Sequence, residues 1–176
     1  MKEYSENVYS PPVKKEKIEM ITVDQPMLTE QQKSHTGNLK NSIDFIVPEG
    51  TEIFAALDGE ITSIRDDDKT GGPDKKFLMG GNFIVIKHSN QEFTHYLHLK
   101  YKGVLVKVGE KVKAGQLIGY SGNTGYSFKP HLHFEVFIWP SPKAKPEERV
   151  TIKARFKDME NIYENNQKGS RSNSLS

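Results

Sequence analysis

From Ile43 to Ile138 the chain is cut into short runs of Ile, Val, Phe and Tyr by closely spaced turn residues, and that spacing leaves room for little but β-structure. The runs are Ile43 to Val47, Glu52 to Ala56, Gly59 to Arg65, Asn82 to His88, Phe93 to Leu99, Gln116 to Tyr120 and His133 to Ile138. Between them stand Pro48-Glu49-Gly50, Asp58-Gly59, Gly71-Gly72-Pro73, Gly80-Gly81 and Gly122-Asn123. β-branched and aromatic residues suit a pleated surface, and Gly, Pro and Asn supply the turns. No stretch of the body has a convincing helical stripe. The expectation is a mainly β fold, an all-β sandwich or barrel-like domain with antiparallel strands, glycine-rich turns and little helix. A faint internal echo, Pro48 to Ile61 against Val108 to Gly119, repeats a glycine turn followed by a strand.

The flanks differ in character. Residues 1–32 mix charges with Pro11, Pro12 and Pro26 and read as an N-terminal arm, packed on the body or only partly ordered. Within it, only Ile18 to Val23 has the pattern of a strand. Residues 33–140 form the expected domain. Residues 141–176 form an extension with a strand over Val150 to Phe156, a short helix over Asp158 to Asn165 and a flexible polar tail. The formal net charge of +2 resolves into −1 over residues 1–34, zero over the middle and +3 over residues 141–176. A neutral body is no footprint for nucleic acid. No apolar stretch is long enough to span a bilayer. The first residues lack the apolar core of a secretory leader, so the chain as written reads as cytoplasmic.

There is no cysteine, which excludes thiolate nucleophiles, disulfides and thiolate metal sites. Any metal must be held by histidine and carboxylate. Of the six histidines, His131 and His133 form an HxH pair in an apolar strand context. Residues i and i+2 of a strand share a face, with Cα atoms roughly 6.5–7 Å apart. Both imidazoles therefore project to one side, while Leu132 points to the other. A lone HxH is weak evidence, but this one follows the glycine-dense run Gly119 to Gly125 and precedes the rigid strand Phe134-Glu135-Val136-Phe137. Asp44 adds a carboxylate inside the apolar run Ile43 to Val47, where a buried charge needs a partner.

Gly122 to Val136, GNTGYSFKPHLHFEV, resembles the last motif of the lysostaphin/LytM-type zinc metallopeptidases. Three further segments follow that family's order: Ser42 to Ile61, Asn82 to Leu99 and Val106 to Gly125. The resemblance implies a groove across the sheet, with His35, Asp44 and His133 as zinc ligands. It also implies catalytic roles for His131 and His98. His35 precedes Asp44 by nine residues, the longer spacing found in part of the family. The implied function is a zinc-dependent endopeptidase that cuts peptidoglycan stem or cross-bridge peptides, which would place it at the cell envelope. Two histidines and one carboxylate leave an open position, as catalytic zinc requires. There is no HExxH, so helix-based zincin chemistry is ruled out.

Tyr96, two residues from His98, is expected to share its face and bind substrate. His95 is expected at the surface, His88 at a strand end, and Asp66-Asp67-Asp68 in a solvated turn. Tyr126, Phe128 and Trp139 read as groove or core aromatics, with core packing the default. The chain is expected to be a monomer. The arm directly precedes His35, which raises without deciding the hypothesis that it occludes the groove as a latent form would; on that hypothesis, deletion of residues 1–30 raises activity. Two other classes compete: a non-catalytic module that keeps the fold and binds a cell-wall or protein partner, and a biotinyl- or lipoyl-type carrier. The carrier reading lacks a lysine in a suitable hairpin setting.

Overall fold

Alternation along the strand Leu132–Ile138 sets the frame of the molecule: Leu132, Phe134 and Val136 enter an apolar layer, and His133 and Glu135 face the other way. The computed structural model describes residues 2–159 and 162–164. Its strands are β1 (Tyr4–Tyr9), β2 (Met20–Thr22), β3 (Ile43–Ile46), β4 (Glu52–Phe54), β5 (Gly59–Arg65), β6 (Gly71–Gly72) and β7 (Asn82–Lys87). They continue with β8 (Phe93–Val104), β9 (Lys111–Val112), β10 (Leu117–Ser121), β11 (Gly125–Tyr126), β12 (Leu132–Ile138), β13 (Val150–Thr151) and β14 (Lys153–Phe156). The main sheet runs β2-β3-β12-β8-β7-β5-β9, with β10 joining β8 and β4, and β13 joining β12. Every pairing in it is antiparallel, and it does not close into a barrel. Two small parallel pairs, β1 with β14 and β6 with β11, lie outside it.

The mainly β expectation holds. Among the described residues, helix is confined to single 3₁₀ turns and to residues 162–164; the expected C-terminal helix is only partly described, and the polar tail lies outside the described residues. The core collects the fully buried Ile43, Phe45, Ile84, Ile86, Tyr96 and Phe134 and their neighbours. Phe45 and Tyr96 meet Phe134 edge-on, with ring centroids 6.1 and 5.2 Å away. Each such side chain contributes about 1.5–3 kcal/mol by burial.

Tyr96 corrects one expectation. It is 0% exposed, and its hydroxyl accepts from the Ala56 backbone N–H at 2.9 Å, so it anchors the core and lines no groove. The cause is a bulge. Across β7 and β8, Phe83 faces Leu97 and Asn82 faces Leu99, which leaves His98 as the extra residue. His98 has φ +66°, outside the strand region. A bulge resets the alternation and re-aims one side chain. His98 therefore leaves the face of Tyr96 and joins that of His133. His95 is also not a surface residue; its side chain is 12% exposed and lies against Glu135.

The arm is more structured than its composition suggested. β1 runs beside β14, and Tyr9 is buried with its hydroxyl donating to Glu92 at 2.8 Å. β2 extends the main sheet, with Thr22 opposite Asp44. Val13 and Val23 enter the core. The C-terminal extension contributes β13 and β14, and Ile152 and Ala154 pack on the same core. Among the described residues no helix is long and apolar enough to cross a membrane.

Candidate metal centre

Register brings the polar residues together. His133 on β12 lies opposite Asp44 on β3 and opposite Leu97 on β8, so Asp44 and His133 share a face across adjacent strands. His35 reaches them from the loop before β3. Its Nε2 lies 3.1 Å from Asp44 Oδ1 and 3.2 Å from His133 Nδ1. The third side, His133 Nδ1 to Asp44 Oδ1, is 3.0 Å. Donors bonded at about 2.0–2.1 Å to a tetrahedral ion stand about 3.3 Å apart, so this near-equilateral triangle fits one small cation. All three side chains are buried.

The far atom of each donor residue is tied down. His35 Nδ1 lies 2.6 Å from the Val23 carbonyl, to which it donates. His133 Nε2 lies 2.9 Å from Glu135 Oε1. Asp44 Oδ2 accepts from Gln25 Nε2 at 2.9 Å. Such partners orient metal ligands and raise their basicity. Glu135 is 0% exposed and is held on its other side by the guanidinium of Arg149 at 2.7 Å. A residue of the C-terminal extension thus braces the site through Glu135.

His98 and His131 stand at the rim of this cluster, ring centroids 4.6 Å apart. His98 Nδ1 donates to the Thr124 carbonyl at 2.6 Å, and His131 Nδ1 to the Lys129 carbonyl at 2.8 Å. A carbonyl only accepts, so both rings carry their proton on Nδ1 and leave Nε2 bare. Thr124 owes its position to Gly125, whose φ is +76° and where a Cβ would come within 2.8 Å of the Gly80 carbonyl oxygen. His131 Nε2 lies 3.6 Å from Asp44 Oδ1. His98, His131 and His133 form a second, looser group of potential ligands.

The electrostatics follow from burial and from these partners. Burial opposes the charge of Asp44, but the imidazoles of His131, His133 and His35 outweigh it and hold the carboxyl well below its usual range. Burial also opposes a cation on His133, yet Asp44 and Glu135 push it up to about 9. A cation held by these residues would take the place of that proton. His98 is driven well below the ordinary histidine value by burial and by His131 and His133. His131 is lowered too, chiefly by burial. Both are neutral acceptors at neutral pH.

A cleft of about 250 Å³ opens onto Asp44, His98 and His131. One wall is built by residues 20–34, with Met20, Pro26 and Leu28, and the other by Tyr126 and Phe128. The arm therefore forms one side of the groove. Tyr126 and Phe128 line the cleft, while Trp139 packs on Phe93 and Phe137.

Of the residues singled out from sequence, His35, Asp44, His98, His131 and His133 converge here and Tyr96 does not. Sequence reasoning missed Gln25, Thr124, Glu135 and Arg149 as their supports. Glu135 had a usable signal, because it shares a strand face with His133. Gln25 had none.

Three donors around one point, with two neutral imidazoles beside an open cleft, fit the needs of metal-assisted hydrolysis. The chain belongs to Peptidase family M23, whose model matches residues 38–146. That span includes Asp44, His98, His131 and His133; His35 lies just before it. An uncharacterized metalloprotease of Buchnera aphidicola is 38% identical over 134 residues, 74% of this chain and 31% of its own length. Peptidoglycan DD-endopeptidase ShyA of Vibrio cholerae is 40% identical over 102 residues, 58% of this chain and 21% of its own length. The crystal structure of a zinc containing peptidase from Vibrio cholerae aligns with a TM-score of 0.51 at 31% identity, covering 74% of this chain and 36% of that one. The chain thus spans between 21% and 31% of the length of these two curated relatives.

Proposed function

We propose that the chain is a zinc-dependent endopeptidase acting on the cross-linked peptides of peptidoglycan, at bonds between D-amino acids. The observation that carries this reading is the triangle of His35 Nε2, Asp44 Oδ1 and His133 Nδ1, with sides of 3.0–3.2 Å, beneath two bare imidazole nitrogens. These three residues would hold the metal. Zinc, when bound, polarises a peptide carbonyl and brings the pKa of a water ligand down to about 7. Peptidoglycan enters through the relative that carries a DD-endopeptidase name, and a site of action in the cell envelope is part of the same proposal.

The chain's own residues do the rest. As water oxygen attacks the peptide carbonyl, Nε2 of His131 accepts the proton that water loses, which its neutral state and bare Nε2 allow. The Lys129 carbonyl stabilises the resulting imidazolium through the Nδ1 hydrogen bond. His131 then returns the proton to the amine nitrogen as the C–N bond breaks. His98, its ring held by Thr124, accepts at Nε2 from the hydroxyl of the tetrahedral carbon and takes that proton as the carboxylate forms. Met20, Pro26 and Phe128 keep bulk water from the cleft and lay the peptide along it.

Digestion of purified sacculi tests this reading. The zinc-loaded chain is expected to release un-cross-linked muropeptides with new D-alanine carboxyl ends, seen by mass spectrometry, and a chelator is expected to stop the release. Intact cross-links after incubation with a chain shown to be zinc-loaded would refute the assignment of substrate.

A further inference from the structure

The segment from Met20 to Ser34 contributes no residue to the ligand triangle, yet one of its side chains is buried against it. Gln25 is 6% exposed and sits at φ +48°, a region that residues other than glycine rarely occupy. Strain of this kind costs of order 1–3 kcal/mol and persists only where surrounding contacts hold it. Here the contacts are visible. The Gln25 backbone N–H donates to Thr22 Oγ1 at 3.0 Å, and its carbonyl accepts from the Leu28 N–H at 3.0 Å. A tight turn thereby points the side chain inward.

The carboxamide then uses its full hydrogen-bonding capacity. Nε2 donates to Asp44 Oδ2 at 2.9 Å and to Ser34 Oγ at 3.1 Å. Oε1 accepts from the backbone N–H groups of Ser34 at 2.8 Å and His35 at 3.2 Å. Two N–H donors on one side and a carboxylate on the other leave a single orientation for the amide. A flipped amide would set oxygen against carboxylate and NH₂ against two donors. One side chain therefore locks two ligands from different parts of the chain. It fixes the rotation of the Asp44 carboxylate, which turns Oδ1 toward the histidines, and it fixes the backbone from which His35 projects. The Val23 carbonyl, two residues earlier on the same turn, orients the His35 ring.

We infer that Gln25 is a positioning residue of the metal centre, holding Asp44 and His35 in the geometry that binds the ion; this rests on the ligand set proposed above. The role belongs to the segment before residue 38, where the family match begins.

The test is zinc affinity of the full chain, measured by competition with a chromophoric chelator and read beside thermal melts of each metal-free protein. Gln25→Met keeps the length and removes every polar atom. Gln25→Asn keeps an amide and suits a positive φ better than glutamine, but it is one methylene shorter and falls short of Asp44. Both variants are expected to bind zinc about 10- to 100-fold more weakly, the usual loss for an outer partner of a ligand. Glu30→Ala, which removes only the exposed pair with Lys33 on the same segment, is expected to bind as wild type does. If Gln25 merely closes the turn, Gln25→Asn retains wild-type affinity, and that result overturns the proposal even if Gln25→Met fails to fold. Wild type that binds no zinc sinks the ligand set, and this role with it. Tight wild-type binding matched by both Gln25 variants overturns the role of Gln25 alone.

Discussion

Removal of residues 1–30 is expected to abolish both folding and activity. The segment carries β1 and β2, the buried side chains of Tyr9, Val13 and Val23, and the amide of Gln25. Tyr9 also satisfies part of Glu92, a carboxylate at 0% exposure that further accepts from the Glu6 N–H at 2.6 Å and from Asn7 Nδ2 at 2.9 Å. Losing one large core side chain costs about 2–5 kcal/mol, and an uncompensated buried charge adds several more. Together these are comparable to the roughly 5–15 kcal/mol that holds a domain of this kind. Circular dichroism and a thermal melt of the truncated chain check it: no cooperative transition is expected. A folded truncation that turns over substrate faster than the full chain would restore the arm to the inhibitory role its sequence suggested.

The second large effect falls on turnover. His98→Ala and His131→Ala are each expected to lower kcat by about 10²- to 10⁴-fold, the usual range for a positioned proton carrier. The double variant is expected to lose little more than the worse single one, because the two imidazoles serve one transition state. Zinc content is expected to stay near that of wild type in all three. His98 and His131 bond to Thr124 and Lys129 through Nδ1, and their Nε2 atoms lie outside the tight triangle. Steady-state kinetics beside elemental analysis separates the two roles. A fall in kcat that merely tracks lost zinc would make either residue a ligand instead.

What could be read from the chain was what obeys a simple period. The alternation in β12 put His133 opposite the core, and the apolar run around Asp44 made its carboxylate conspicuous. Tyr96 failed because the period is broken at His98, where a bulge forms at a residue that is not glycine. Nothing local in Tyr-Leu-His-Leu announces that break; it follows from pairing β8 with strands on both sides. β1 was missed because Tyr4–Tyr9 alternates weakly and pairs in parallel with a strand near the other end of the chain. Gln25 was invisible for a similar reason. A glutamine before a proline reads as loop, and only the closed fold brings its amide to Asp44 and His35. Arg149 and Glu135 meet across 14 residues through a turn at Pro146, which the sequence marks only as proline-rich.

On the ligand set proposed above, His35, Asp44 and His133 hold one zinc and His98 and His131 do not. Both candidate groups contain His133, so substituting that residue cannot separate them. Zinc per chain should therefore be counted by elemental analysis in wild type, His35→Ala, Asp44→Ala and His98→Ala after reconstitution. About one zinc is expected in wild type and His98→Ala, and a small fraction of that in His35→Ala and Asp44→Ala. Zinc retained in Asp44→Ala but lost in His98→Ala would move the metal to the other group, and no zinc in wild type would leave a binding module in place of an enzyme.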